Sequence, residues 1–353
     1  MSKTVYVGMS GGVDSSVSAL LLKEQGFNVI GVYMKNWSKD LPGMKCPWAE
    51  DLADAKRVAV KLGIDFEVWD FEEEYRKKVV DYMLDEFKKG NTPNPDIMCN
   101  QEIKFRLFLE KAIEKGADYI ATGHYARIVD GKLARAVDGN KDQTYFLYRI
   151  SEEALSHTIF PIGEMLKPDV KKLAEKHGLH NAYKKESMGV CFVGEVGMKD
   201  FLKEYIDVKS GEIREIESGK VLGYHEGAVF YTIGQRHGLY LDGEKGVVND
   251  GMPYYVVKKD IKNNIVYVSK NLNHETIWTK KLRLKDVFLR VKTCFSSAEK
   301  GQVLVRLRHR APLVSATFDG RTLHFESEIK RPAAGQSAVL YDGEICLGGG
   351  IIA

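Results

Sequence analysis

Three groups of residues in this 353-residue chain carry side chains able to do chemistry. The first is Met9-Ser10-Gly11-Gly12-Val13-Asp14-Ser15-Ser16, set between the apolar run Thr4–Gly8 and the helix-forming run Val17–Lys23. Strand, glycine-rich turn and helix start together make a cradle for phosphate. Gly11 and Gly12 permit positive φ and close backbone approach, and the first N–H groups of a helix point at an anion. No Gly-Lys-Ser/Thr closes the turn, which sets it apart from the usual nucleotide loop. Ser10, Ser15 and Ser16 offer hydroxyl donors instead of a lysine. Such a loop suits pyrophosphate as a leaving group, and therefore adenylation rather than γ-phosphate transfer.

The second group is Pro93-Asn94-Pro95-Asp96-Ile97-Met98-Cys99-Asn100. Two prolines stiffen a loop between helices. The loop presents Asp96 and Cys99 just before a helix expected from about Glu102 to Lys115. A cysteine near a helix N-terminus has its thiolate stabilised by the helix field, and the polar, proline-stiffened setting argues against the burial usual for a lone cysteine. Asp96 suits an Asx-turn cap, general acid–base work, or both. The third is Cys191, in a short apolar segment bracketed by Gly189 and Gly194 that reads as a loop or short strand. Only folding can bring Cys191 to Cys99.

The elements that position these groups alternate. Strands are expected at 29–34, 64–69 and 118–122, and helices at about 48–62 and 72–89, which gives a parallel sheet covered on both faces. Ligands of such sheets gather at the strand C-terminal ends. Gly8, Met34 and Gly123 fall there, and an adenine nucleotide belongs there. Beyond Tyr205 short strands dominate, as at 227–232 and 254–258. In the stretch 303–310, Val303, Val305 and Leu307 alternate with Arg306, Arg308 and Arg310, the mark of a half-buried strand. The fold class is α/β: a parallel-sheet catalytic domain over 1–205, a small central linker domain over 206–276, and a C-terminal β-barrel over 277–353.

Composition narrows the function. Hydrophobic content of 44% and charged content of 29% are those of an ordinary globular protein. No apolar run approaches a membrane span, and the N-terminus lacks the basic and apolar regions of a signal peptide, so a cytoplasmic address is expected. Five cysteines without a C-x-x-C pair argue against a disulfide framework, a zinc site or an iron–sulfur cluster. The net charge is +3, but from Lys281 onward 12 Lys and Arg stand against 7 Asp and Glu, a basic tail that suggests a polyanionic partner. Trp37, Trp48, Tyr145, Phe146 and Tyr148 read as core or lid packing. Cys46, Cys294 and Cys346 read as structural.

The Ser10–Ser15 run resembles the pyrophosphate loop of the ATP pyrophosphatases, among them GMP synthetase, NAD synthetase and the tRNA thiolation enzymes. The whole chain is similar to one of their families, the tRNA-specific 2-thiouridylases. The matches are Gly8–Ser16, Met34–Trp37, Thr92–Asp96, Cys99-Asn100, Ile103–Phe105, Ala121–Tyr125, Lys141–Leu147, Gly189–Phe192, Thr232–Arg236 and Pro332–Val339. One departure is Glu186, where the family usually carries Asp. The resemblance implies ATP, held at Gly8, Met9, Ser10, Gly11, Gly12, Val13, Asp14, Ser15, Met34 and Gly123, and Mg²⁺ should accompany it, as phosphate chemistry normally requires. It implies a tRNA anticodon loop as substrate and a persulfide-donor protein as partner. Cys99 would be the nucleophile, Cys191 the persulfide carrier and Asp96 the acid or base, with Asn94 and Pro95 touching the same uracil. Contacts to tRNA would come from His124, Lys141, Asp142, Gln143, Arg308, His309 and Gln336, and Arg306 and Arg310 would add phosphate-gripping charge. Sulfur would reach C2 either by direct persulfide attack or as hydrosulfide freed by Cys99. Another adenylating ligase of the superfamily, or a tRNA-binding protein without catalysis, would share much of this pattern.

Overall fold

The computed structural model describes residues 2–40, 46–185, 197–239, 241, 252–271, 273–290 and 301–353. A five-stranded parallel sheet forms the nucleotide-type lobe, in the order Asp65–Asp70, Asn28–Lys35, Thr4–Gly8, Tyr119–Thr122, Thr158–Ile159. The chain moves outward from Thr4–Gly8 in one direction, then returns to its other side at Tyr119–Thr122. The switch in strand order therefore lies between those two strands, where open α/β sheets bind ligands. Val5, Val7, Ile120 and Ala121 are fully buried, as expected of strands covered on both faces.

The helix Val13–Glu24 opens immediately after the glycine turn, and Trp48–Leu62 ends at Gly63 in the left-handed conformation. Residues 72–88 form one continuous helix with a wide π-type turn over Arg76–Val80. A second continuous helix runs from Pro95 to Glu114 with a π-type stretch over Asn100–Leu107. The pattern from Glu102 thus understates this helix by seven residues. Pro95 sits in its first turn, where its fixed φ suits a helix start and its missing N–H costs nothing.

The middle region is a four-stranded sheet, Tyr255–Asp260, Ile265–Ser269, Gly211–Glu215, Val221–His225, over a small core of Ile213, Leu222, Val256, Val266 and Val268. The strand expected at 227–232 is instead a 3-10 turn over Ala228–Phe230. The C-terminal region is a six-stranded barrel: Trp278–Leu289, Thr322–Lys330, Val314–Phe318, Gly301–Arg306, Ser337–Asp342 and Ile345–Ile352, closed by pairing of the first with the last. Its inward residues recur with period two, as in Leu282 and Leu284, Val303 and Val305, Leu323 and Phe325. A hairpin from the first lobe, Ala126–Val129 with Lys132–Arg135, adds to the barrel through Ile345.

Barrel and first lobe also share a core. Val339, Tyr341 and Cys346 pack in the same buried cluster as Cys99, Tyr145 and Tyr148. The strand Ser337–Asp342 is accordingly buried on both faces along nearly all its length.

Candidate active site

The glycine turn has the tight form that a phosphate cradle requires. Gly11 has φ +78°, and a Cβ there would stand 2.4 Å from the Asp51 carbonyl oxygen. A Cβ on Gly123, at the end of the neighbouring strand, would stand 2.6 Å from the Ser15 amide nitrogen. Gly12 is the N-cap of the helix Val13–Glu24 and gives it no side-chain cap, so first-turn N–H groups remain for an anion. Met9 and Val13 are buried beneath the turn, and the Met34 side chain lies against Gly8.

The hydroxyls depart from the expectation. Ser15 Oγ donates to the Gly12 carbonyl at 3.1 Å and accepts from the Ser10 amide at 3.2 Å, while Ser16 Oγ donates to the same carbonyl at 2.9 Å. Both serines are buried. They brace the turn from inside, and only Ser10 among the three is exposed.

A lysine does reach the loop, from far along the chain. Lys167 Nζ lies 2.7 Å from both carboxylate oxygens of Asp14, and Tyr125 Oη donates to Asp14 at 3.0 Å. Lys167 is the first residue of the helix Lys167–Lys176, a place where the helix dipole disfavours a cation. That local mismatch was the one sequence signal of its role. Asn181 is likewise new: its Nδ2 donates to the Gly11 carbonyl and to Ser16 Oγ, both at 2.9 Å. Lys184 bridges Asp51 and Asp54 at 2.7 and 2.6 Å beside the same turn.

The second group occupies the start of the Pro95–Glu114 helix. Cys99 is 4% exposed and belongs to the shared core, which overturns the expectation that the proline-stiffened loop would keep it out. The early helix start is the cause: it turns Ile97, Cys99 and Ile103 inward together. Asn94 and Asp96 are half-buried, and Pro95 is buried. Burial pushes the Asp96 carboxyl above its ordinary range, against the opposing field of Lys104. Cys191, its neighbour Glu186, and Cys294 lie outside the described residues. The segment before Cys191 is moored at the glycine turn by Asn181 and Lys184. The helix Met198–Tyr205 after it packs Phe201 against Trp37 and Tyr205 against Arg76.

One strand end joins the two groups. Gly123 abuts Ser15, and the next residue, His124, lies with its ring centroid 5.7 Å from that of Phe105 on the cysteine-bearing helix. His124 is buried, bonded through Nδ1 to Thr122 Oγ1 at 2.8 Å, and held well below the usual imidazole range by burial, with the Lys104 charge acting in the same direction. This placement withdraws its ring from the surface and keeps it neutral.

The remaining nucleic-acid candidates divide sharply. Arg308 and Arg310 are exposed, and Lys141 and Gln143 are half-buried. Gln143 Oε1 accepts from the Tyr125 amide. Asp142 is 1% exposed: it accepts from Arg306 at 2.6 Å and from the Thr144 hydroxyl at 2.9 Å. Arg306, 5% exposed, is spent on that ion pair. Both side chains are turned inward. The strand stops at Arg306, so the alternation expected through Arg310 breaks there, and a non-strand turn presents Arg308 and Arg310. His309 packs at a tilt against Phe146 with centroids 4.5 Å apart, and burial pulls it to about 4, so it is neutral at pH 7. Gln336 Nε2 donates to the Thr92 carbonyl at 2.7 Å. Trp37, Tyr145 and Tyr148 are core residues, as expected, and so is Cys346.

Among the described residues no three His, Cys, Asp or Glu side chains gather as a metal-binding group, and no helix is long and apolar enough to cross a membrane.

Three family models match the chain: a tRNA methyl transferase HUP domain over residues 3–195, a tRNA methyl transferase PRC-barrel domain over 199–270, and an aminomethyltransferase beta-barrel domain over 279–352. The chain is 46% identical to the tRNA-specific 2-thiouridylase MnmA of Listeria monocytogenes over 360 residues, covering 99% of this chain and 94% of that protein. It is 46% identical to the protein of the same name from Pseudomonas savastanoi pv. phaseolicola over 356 residues, with the same coverage. A solved 4-thiouridine synthetase–RNA complex with bound ATP aligns over 52% of this chain and 43% of that one at 18% identity and a TM-score of 0.35, a likeness too loose to inform function.

Proposed function

The chain belongs to the tRNA-specific 2-thiouridylase family, and from that premise we propose that it replaces the C2 oxygen of the anticodon-loop wobble uridine with sulfur at the expense of ATP. The observation that carries the reading is the Gly123–His124 strand end, which touches the glycine turn on one side and the helix of Asp96 and Cys99 on the other. Phosphate chemistry and thiol chemistry thereby share one wall.

The turn keeps the tight form of a phosphate cradle because a methyl group at Gly11 or Gly123 would collide with the backbone of Asp51 or of Asp14 and Ser15, and its helix start would offer N–H groups to the phosphates. ATP supplies an adenylyl group to the uracil C2 oxygen, which converts a poor leaving group into AMP. The turn from Gly8 to Ser15 would receive the pyrophosphate, and Lys167 would bring the cation that the turn itself lacks. Asp14, the carboxylate of the turn, would help hold Mg²⁺, which would offset the charge on the departing pyrophosphate. Asp96, biased by burial toward keeping its proton, suits proton transfer at the base. A wobble base must leave its stack to reach the site, which costs less in a single-stranded loop. Arg308, Arg310 and Lys141 would hold phosphates and set register.

Sulfur would arrive as a persulfide on Cys191 from a donor protein. Either its terminal sulfur attacks C2 and expels AMP, after which Cys99 cleaves the S–S link, or Cys99 attacks first and frees hydrosulfide to do so. Both routes end with a Cys99–Cys191 disulfide that a reductant must open.

Mass spectrometry of tRNA incubated with ATP, Mg²⁺ and a persulfide source tests the proposal. A sulfur-for-oxygen mass gain, with matching AMP and pyrophosphate, is expected. Cys191→Ser should lose the persulfide label, whereas Cys99→Ser should keep the label and make no thiolated product. AMP release with both cysteines dispensable would mark another adenylating ligase. Salt-sensitive tRNA binding without AMP would mark a binding protein.

A further inference from the structure

We infer that the β-barrel builds the sulfur-transfer site: Gln336, brought close by Gly335, is a positioning residue for the segment that carries Asp96 and Cys99. The inference rests on the proposed function only for the roles of those two residues.

The turn before the helix is poorly able to hold itself. Pro93 and Pro95 have no N–H, so two of its donors are missing, and a turn that cannot bond to itself must be fixed from outside. The barrel supplies the bonds. The Thr92 amide donates to the Ala334 carbonyl at 2.8 Å, and the Thr92 carbonyl accepts from Gln336 Nε2 at 2.7 Å. Both backbone polar groups of Thr92 are thus taken by one barrel segment. The approach depends on Gly335, which has φ +90° and whose Cβ would stand 3.0 Å from Thr92 N and from Asn91 Cβ. Gln336 is itself rigid. Its amide donates to Ala333, and its carbonyl accepts from Ile352 of the last barrel strand.

A second tie holds the other end of the segment. Gln101 Oε1 accepts from Arg149 Nε at 2.5 Å, and the same guanidinium donates to the Asp286 carbonyl of the first barrel strand at 3.0 Å. Between the two ties, Ile97 and Met98 of the helix and Ser337 and Ile351 of the barrel line a small common cavity. Fixing Thr92 next to two residues of fixed φ leaves little freedom in where Asp96 and Cys99 begin their helix. In the tRNA-free chain the Gln336 amide nitrogen is therefore part of the scaffold that holds Thr92.

The test uses the full chain. Gln336→Met removes the donor without adding charge, and Gly335→Ala strikes the same turn sterically. Three quantities are read for each: tRNA affinity with its salt dependence, the thiolation rate at saturating tRNA and ATP, and the alkylation rate of Cys99 by iodoacetamide, followed on its own peptide by mass spectrometry. Gln336→Met is expected to lower the thiolation rate at saturating tRNA and ATP about fivefold and to speed Cys99 alkylation in the tRNA-free chain about fivefold, as loss of one hydrogen bond would. Gly335→Ala should move the last two further in the same directions. Faster amide exchange confined to residues 91–101, with an unchanged melting temperature, separates a loosened turn from a misfolded chain. Unchanged Cys99 alkylation in both variants overturns the inference, whether or not tRNA affinity falls. The alkylation result stands apart from catalysis: an active Cys99→Ser variant would sink the proposed function and leave the scaffold role untouched.

Discussion

Lys167 and Asp14 form a two-pronged ion pair at 2.7 Å across 153 residues of sequence, on the first turn of the helix that follows the glycine loop. The lysine side chain is 8% exposed, whereas the aspartate side chain is 28% exposed. A cation so placed is desolvated and pre-aimed, at little entropic cost when a phosphate arrives. Asp14→Ala and Lys167→Met should each cut tRNA-dependent pyrophosphate release at least tenfold while leaving tRNA affinity within twofold. Residues acting as one unit are non-additive, so the double variant should be little worse than either single one. Pyrophosphate release at the normal rate in Lys167→Met would reduce the pair to a structural bridge.

Asp96 has a cost in stability that follows from its burial. A carboxyl raised in the folded state binds protons better there than in the unfolded chain. Its contribution is therefore favourable below the unfolded value, about 4, and is lost as pH rises through the folded value. Near neutral pH the ionised form is a liability, so Asp96→Asn should melt higher than the parent at pH 8. The gap should close toward pH 4, and thiolation should fail throughout. Melting curves across that range check the sign; an Asn variant less stable at pH 8 would reveal a partner for the carboxylate.

Lys259 offers the same test on a cation. Its ammonium donates to the Gly90 carbonyl at 2.7 Å, and burial pulls it down to about 8. A lysine lowered on folding destabilises the chain while charged, fully below the folded value, and the penalty disappears as pH rises to the unfolded value near 10.4. Lys259→Met should therefore gain about 1–3 kcal/mol at pH 7. The gain should shrink between pH 8 and pH 10, as denaturant titrations at the two ends would show.

The sheet of the first lobe was legible because its strands are continuous apolar runs bounded by glycine, as at Thr4–Gly8 and Tyr119–Thr122. The glycine turn was legible because its conformation is local: Gly11 needs its left-handed φ whatever the rest of the chain does. The barrel was legible from the period-two run that includes Val303 and Val305, both turned into its core. What stayed hidden is tertiary. Lys167 and Asn181 reach the loop from beyond the lobe's central strands, and nothing in their neighbourhoods names the partner. Asp142 and Arg306 looked like a charged loop and a charged strand face. Their pairing across 164 residues turns both inward, and no periodicity records a charge that is cancelled by another segment. Cys99 was misplaced for a simpler reason: the helix began at a proline, and a proline read as loop stiffener is equally a helix start.

That pairing separates two arginines only two residues apart. Arg306 lies against Asp142 inside the junction of lobe and barrel, whereas Arg308 projects from the turn beyond the strand. Among the described residues, removing Arg306 leaves the buried Asp142 carboxylate only the longer ion pair to Arg135 at 3.6 Å, so Arg306→Ala should cost about 3–5 kcal/mol of stability. It should leave the salt slope of tRNA binding unchanged in whatever fraction stays folded. Arg308→Ala should do the reverse: stability within about 0.5 kcal/mol, weaker tRNA binding, and a salt slope reduced by about 1 as one phosphate contact is lost. Denaturant unfolding and filter binding at several salt concentrations measure the two effects on the same preparations. A steeply destabilised Arg308→Ala, or an Arg306→Ala with intact stability and a flattened slope, would exchange the two roles.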